Sequence, residues 1–179
     1  MMSKRQVFYS FHYGKDYWRT QIVRNIGAIE GNKPVSANTW EEVKRKGYTS
    51  IKNWIDENMN YRSCIIVLVG EDTANRPWVQ YEIEHAWKTG KGIICIDIHN
   101  LRNEKQEKGV QGPNPLELFY VDKDINFIAK RNRPIGNESK LSDVCRFYNP
   151  SSNNTYNDIA DNIESLVEEA IKIRDSYPK

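Results

Sequence analysis

The apolar positions of this chain fall into two kinds of pattern. At 63–69, SCIIVLV is a continuous apolar run, as a strand buried on both faces requires. It ends in Gly70, and residues 71–76, EDTANR, are turn and cap residues. Pro77 then suits the first turn of a helix, where its missing N–H costs nothing. The pattern predicts a helix over roughly 77–88, stopping before Gly90, and a second buried strand, GIICIDIHN, at 92–100. Strand, helix and strand in about thirty residues is a βαβ unit, which implies a parallel sheet.

The remaining segments read around that unit. Residues 5–11, RQVFYSF, are rich in aromatic and β-branched types and predict a first strand. Asp16 is suited to cap a following helix, on which Trp18, Ile22, Ile26 and Ile29 recur at helical spacing. Residues 30–39 read as loop, with a short strand near Ala28–Ile29 or Val35. Helical spacing returns at Tyr48, Ile51, Trp54, Ile55 and Met59. Residues 101–117 read as a long surface loop, 118–148 show little pattern, and VCRFYN at 144–149 suits a last strand. Ile159, Ile163, Leu166, Val167, Ala170 and Ile171 line one face of a helix from about 156 to 174. The expected fold is therefore α/β: one domain, an open parallel sheet with helices on both faces. Its core spans about 5–120, and 121–179 complete the sheet and add the final helix. Ligands in such folds bind beyond the carboxyl ends of the strands, at a topological switch point. Chemistry is expected just after Phe11, Gly70 and Asn100.

Composition narrows the function. The 179 residues carry a formal charge of only +2, too balanced to argue for nucleic acid. The basic clusters Lys44-Arg45-Lys46 and Lys130-Arg131 read as solvated faces. Three cysteines without framework spacing argue against a disulfide scaffold, and Cys64 and Cys95 sit in apolar runs as buried thiols. The absence of CxxC and of paired histidines argues against zinc. The N-terminus lacks a signal-peptide stretch, and CIIVLVG at 64–70 is too short to cross a bilayer; a soluble, cytoplasmic protein is expected. No GxxxxGK[ST], GxGxxG or GxSxG motif is present. Ser10, Phe11 and His12 replace the acids of a phospho-receiver, and HYGKDYW is too bulky for a flavodoxin phosphate loop.

The segment RPWVQYEIEHAW at 76–87 is unusual in framing charged groups with aromatics. On a helix, Trp78 and Glu82 lie one turn apart, and His85 is three residues beyond Glu82. Val79, Ile83 and Ala86 form the stripe that packs on the sheet. Glu82 sits beside that stripe, where burial against an indole raises a carboxyl pKa or leaves an anion ready for hydroxyls or a cation. The plainer reading is a boundary glutamate in a salt bridge. Glu84 and His85 read as a solvated or salt-bridged face, Asp72 and Asn75 as helix caps.

FYSFHY at 8–13, NTWEEVK at 38–44, the IIVLVG strand, TANRPWVQYEIEHAWKTGKGIICIDIHN at 73–100 and GPNP at 112–115 resemble the bacterial TIR-like family of Thoeris antiviral defence. The resemblance covers roughly residues 5–120. It implies a flavodoxin-like TIR fold with strand order 2-1-3-4-5. It also implies cleavage of the nicotinamide–ribose bond of NAD, releasing nicotinamide and ADP-ribose or a cyclic isomer that signals to an effector in antiphage defence. By motif the catalytic glutamate carries onto Glu82 and the aromatic one turn earlier onto Trp78. Ser10, Phe11 and His12 would line the ribose or nicotinamide pocket, or else simply close the strand around a buried Phe. Trp40 and Glu41 lie in a loop through which TIR proteins assemble, or Trp40 packs that loop on the core. Arg76 would meet a phosphate or stand as an exposed guanidinium. His99 ends a strand at the ligand edge or serves as a satisfied structural histidine. The implied partners are NAD, as substrate rather than cofactor, further copies of the chain, and an effector reached by a diffusible cyclic nucleotide; a membrane is not implied. A reading from another class is a non-catalytic TIR-like module that binds protein or nucleotide.

Overall fold

The computed structural model describes residues 4–27, 29–31 and 42–179. Eight strands run along these residues: β1 (Gln6–Ser10), β2 (Glu30–Gly31), β3 (Cys64–Val69), β4 (Gly92–Asp97), β5 (Phe119–Asp122), β6 (Ile128–Lys130), β7 (Glu138–Lys140) and β8 (Phe147–Tyr148). The helices that matter here are α1 (Tyr13–Arg24), α2 (Tyr48–Met59), α3 (Pro77–Lys88), α4 (Leu141–Val144) and α5 (Thr155–Asp175). The main sheet has the order β2-β1-β3-β4-β8, every neighbouring pair parallel. This is the expected order, with β8 as the fifth strand.

Alternation along the strands divides the core between two faces. Phe8, Ile65, Val67, Ile93 and Cys95 point toward α2 and α3, where Ile55, Ile83 and Trp87 meet them. Val7, Tyr9, Ile66, Leu68 and Ile94 point toward α1 and α5, where Val23, Ile163 and Val167 close the other core. The uninterrupted apolar runs of β3 and β4 thus follow from burial on both sides. All three cysteines are buried free thiols, and burial pushes the Cys145 thiol up to about 12. Among the described residues, no helix is long and apolar enough to cross a membrane.

Three expectations are corrected. Asp16 does not cap α1: His12 is the cap residue, its Nδ1 accepting from the Lys15 N–H at 3.2 Å. The buried face of α1 is not set by Trp18, which is 49% exposed, but by Asp16, Arg19, Thr20 and Val23. The polar residues turn inward because Arg19 fastens the loop after β4, donating to the Leu101 carbonyl at 2.7 Å and the Glu107 carbonyl at 3.1 Å. Residues 119–140, patternless in sequence, form a second, antiparallel sheet of order β6-β5-β7, whose Phe119, Val121 and Ile128 join the α3-side core. The edge strand β2 pairs Gln6 with Glu30 and Val7 with Gly31; Ala28 and Val35 lie outside the described residues.

Two contacts fix α5 against this frame. Arg174 is buried, donates through Nε and a terminal nitrogen to the Trp87 carbonyl at 3.0 and 2.8 Å, and lies 4.5 Å from the Trp87 ring. Gly92 lets the α5 backbone approach β4, for a Cβ there would meet the Ala170 carbonyl carbon at 2.7 Å. Neither backbone can yield as a flexible side chain would. Gly92→Ala is expected to destabilise the fold by about 1–3 kcal/mol, read as a lower urea midpoint; an unchanged midpoint would contradict this packing.

Candidate active site

The sequence placed candidate chemistry after Phe11, Gly70 and Asn100, and clefts open at that edge of the sheet. One, of about 310 Å³, is lined by residues including Asp16, Arg19, Gly70 and His99. Asp16 there pairs with Arg19 through Oδ1 at 3.4 Å, and its buried Oδ2 has no hydrogen-bond partner among the described residues. Asp97, buried, accepts from His99 Nδ1 at 2.6 Å, from the His99 N–H at 3.0 Å and from Gln111 Nε2 at 3.0 Å. His99 therefore has the structural partner its plainer reading asked for.

The other cleft, about 440 Å³, has one wall from residues 11–14 and another from 76–79 and Glu82, with Lys44 and Ile51 between. Helix α3 sets its chemistry. Pro77 starts the helix, and Val79, Ile83, Ala86 and Trp87 are buried against the sheet. Burying each large apolar side chain contributes roughly 1.5–3 kcal/mol, so this stripe dictates how the helix sits. Glu82, on the edge of the stripe, is carried in with it and is only 8% exposed. At the end of β1, Ser10 shares a face with Phe8 and points at α3. Its hydroxyl donates to Glu82 Oε2.

Burial pushes the Glu82 carboxyl up to about 8, and the Ser10 hydroxyl pulls the other way without compensating. Burial thus favours the protonated, neutral form of Glu82 at pH 7 in the free protein. The salt bridge of the plainer reading is absent from the ion pairs of the described residues; the partner is the serine.

Most of the remaining sequence-selected residues gather here. Trp78 is half-buried and lines the same cleft as Glu82, its ring 5.0 Å from Tyr48 and 5.6 Å from Tyr81. Phe11 and His12 form part of the opposite wall, and Arg76 is exposed at the rim. Trp40 and Glu41 lie outside the described residues. Asp72 and Asn75 do not cap α3: Arg76 is its cap residue, with no side-chain cap bond, and Asp72 pairs with Lys15. Thr73 fastens that turn instead, its buried hydroxyl accepting from the Gly70 N–H at 2.8 Å. On the outer side of α3, Tyr81 donates to Asp56 at 2.6 Å, His85 lies 3.6 Å from the same carboxylate, and Glu84 faces Lys88. Glu84 thus lies on a salt-bridged face as one reading had it, whereas burial lowers the His85 imidazole below its ordinary value, and the Tyr81 and His85 contacts to Asp56 join α3 to α2. Tyr48 and Tyr13 were missed in sequence: Tyr48 as a helix start and Tyr13 as a residue after a strand carry no distinguishing signal.

The model of the Thoeris protein ThsB, TIR-like domain, matches residues 8–103. That is more than half of the chain and includes every residue that lines the Glu82 cleft. The chain belongs to the Thoeris ThsB TIR-like family. A relative in Bacillus cereus (strain MSX-D12), named "Putative cyclic ADP-D-ribose synthase ThsB1", is 35% identical over 123 residues, 66% of this chain. The match spans 64% of that relative's length. The small sheet and α5 lie beyond the residues of the ThsB TIR-like match.

The buried carboxyl has a stability signature. Between pH 4.5 and 8 the folded protein keeps a proton on Glu82 that the unfolded chain has lost, so this group lowers stability as pH rises. Glu82→Gln removes that dependence. The stability of the variant relative to wild type is expected to rise by about 1.4 kcal/mol per pH unit between pH 5 and 7.5. It should level off above pH 8.5. Urea unfolding across pH measures it; a pH-independent difference would mean that Glu82 is not buried as a neutral acid.

Proposed function

We propose that this protein cleaves the N-glycosidic bond between nicotinamide and ribose in NAD, releasing nicotinamide and forming ADP-ribose or its cyclic isomer. The observation that supports this most is Glu82: a buried carboxyl, hydrogen-bonded to Ser10, in a cleft shared with the Trp78 indole. The name of the Bacillus cereus relative points the same way.

The residues suit the reaction. Nicotinamide leaves from a cationic nitrogen as a neutral molecule, so the departure needs no general acid. The transition state is oxocarbenium-like, with positive charge spreading over the ribose. A carboxylate beside that ring holds its hydroxyls and stabilises the charge, more strongly in a dry cleft than in water. An indole face attracts a pyridinium. The pyridinium of the substrate, placed beside Glu82, also favours its ionised form, so binding itself draws off the proton that burial retains. Ser10 then donates to the resulting anion. Capture of the ribosyl cation by water gives ADP-ribose; capture by a nucleophile of the same molecule gives a cyclic product. In the cell such a product would act as a diffusible antiphage signal to an effector, with copies of the chain associating through TIR-type contacts.

Nicotinamide release by wild type beside Glu82→Gln, at high protein concentration, tests this reading. The variant is expected to lose about 100-fold or more in rate, and product mass separates hydrolysis from cyclisation. Full turnover in the variant would remove the role of Glu82. No release by wild type would favour a non-catalytic module. The pH profile is a second test. kcat/KM reports ionisation of the free enzyme, so it should rise about tenfold per pH unit and flatten near pH 8. A profile flat from pH 6 to 9 would contradict a neutral resting Glu82.

A further inference from the structure

Helices α2 and α3 meet along two rows of side chains. On α2, Tyr48, Lys52 and Asp56 follow one another at single turns; on α3, Trp78, Tyr81 and His85 recur at helical spacing. The rows match in order. Tyr48 meets Trp78, ring centroids 5.0 Å apart, and Lys52 Nζ lies 5.9 Å from the centroid of the Tyr81 ring. Asp56 closes the far end. It accepts from the Tyr81 hydroxyl at 2.6 Å and from Lys52 Nζ at 2.8 Å, and it lies 3.6 Å from His85 Nε2. The Tyr81 ring stacks on His85, with centroids 5.8 Å apart and planes 16° from parallel. Burial and the Asp56 bond push the Tyr81 phenol up to about 12, so it remains the donor.

Of these six residues, Trp78 alone lines the Glu82 cleft. Packing on the α3-side core seats Trp78 and Tyr81. The terminal torsion of an aromatic side chain is broad, so seating alone leaves the tilt of the indole open. Two rings touch it. Tyr48 is 68% exposed, whereas Tyr81 is half-buried, tied through its hydroxyl to another helix, and set edge-on to the indole at 5.6 Å and 79°. An edge-to-face contact with an anchored ring fixes the tilt of its neighbour. Resting on the NAD-cleaving reading above, we propose that Asp56 and Tyr81 are positioning residues that hold the Trp78 indole at the angle at which its face meets the pyridinium of NAD. Neither lines the cleft itself. The attraction requires the cation to lie over the ring face. An indole free to tilt therefore loses the charge while keeping its apolar area. The brace acts on the choice between a charged and an uncharged nicotinamide, and it leaves the bond between Glu82 and Ser10 in place.

One readout needs no ligand. The Trp78 indole N–H resonance, identified as the signal missing from Trp78→Phe, should shift or broaden in Tyr81→Phe and in Asp56→Ala. It should return in Asp56→Asn, which keeps an acceptor for the phenol. The second readout is calorimetric titration of the Glu82→Gln protein with NAD and with NADH, whose nicotinamide ring is uncharged. Adding Tyr81→Phe should lower the preference for NAD over NADH about fivefold, and Asp56→Asn should retain it. With Trp78→Leu also present, Tyr81→Phe should change nothing further. An unmoved indole resonance, an equal loss for both nucleotides, or a loss that persists without Trp78 would overturn the proposal. Charge-selective binding that depends on Tyr81, in a wild type that releases no nicotinamide, would keep the brace and remove the cleavage reading. No binding of NAD at all would remove both.

Discussion

The candidate site depends on one constraint: α3 can bury its apolar stripe only by taking Glu82 below the surface. Ile83 and Trp87 are fully buried, and Glu82 precedes Ile83 on the same turn. The carboxyl loses its water and gains a serine hydroxyl in return. That exchange is too small to keep it ionised, because a dry environment penalises the charged form by more than one neutral donor returns. Burial thus favours the neutral acid at rest, and in the proposed reaction the pyridinium of the substrate would favour its anion. The cost falls on stability, offset by the apolar burial of the same helix.

Topology brings the other groups to this carboxyl. In the order β2-β1-β3, chain connections leave β1 toward one face and β3 toward the other, which opens the crevice at their carboxyl ends. The start of α1 follows β1 within three residues, and α3 starts a short turn after β3. Residues 11–14 and 76–79 are consequently walls of one cleft, although more than sixty positions separate them in sequence. The α5 helix, held by Arg174 on the Trp87 carbonyl and packed at Gly92, stiffens α3 from its far end. The small sheet adds Phe119, Val121 and Ile128 to the same core.

Much of this was legible. The strands β3 and β4 announce themselves because double-sided burial leaves no polar position in the middle of either run. Pro77 and Gly90 bracket α3 closely enough to set its limits and hence the shared face of Trp78 and Glu82. Elsewhere periodicity misled. In α1 the buried positions include an aspartate and an arginine, so hydrophobic spacing selected Trp18, which faces solvent. Arg19 is inside because two carbonyls of a distant loop need its donors, and no local pattern encodes that. The strands of the second sheet are three or four residues long and rich in Lys, Asp and Glu, too short for alternation to emerge. In Glu82 itself, sequence supplied the position but not the state. A glutamate beside an apolar stripe reads equally as an ion-paired boundary residue, and only the nearness of Ser10 resolves it.

The protonation state of Glu82 is therefore the point to measure, directly by infrared difference spectroscopy of wild type against Glu82→Gln at pH 7. A carbonyl band of a protonated carboxyl, present in the free protein, lost in the variant and converted to carboxylate bands as pH passes about 8, is the result this account predicts. Saturation with NAD should bring on the same conversion at pH 7. Carboxylate bands for Glu82 in the free protein at pH 7 would contradict the account, for the resting site would then already hold its charge.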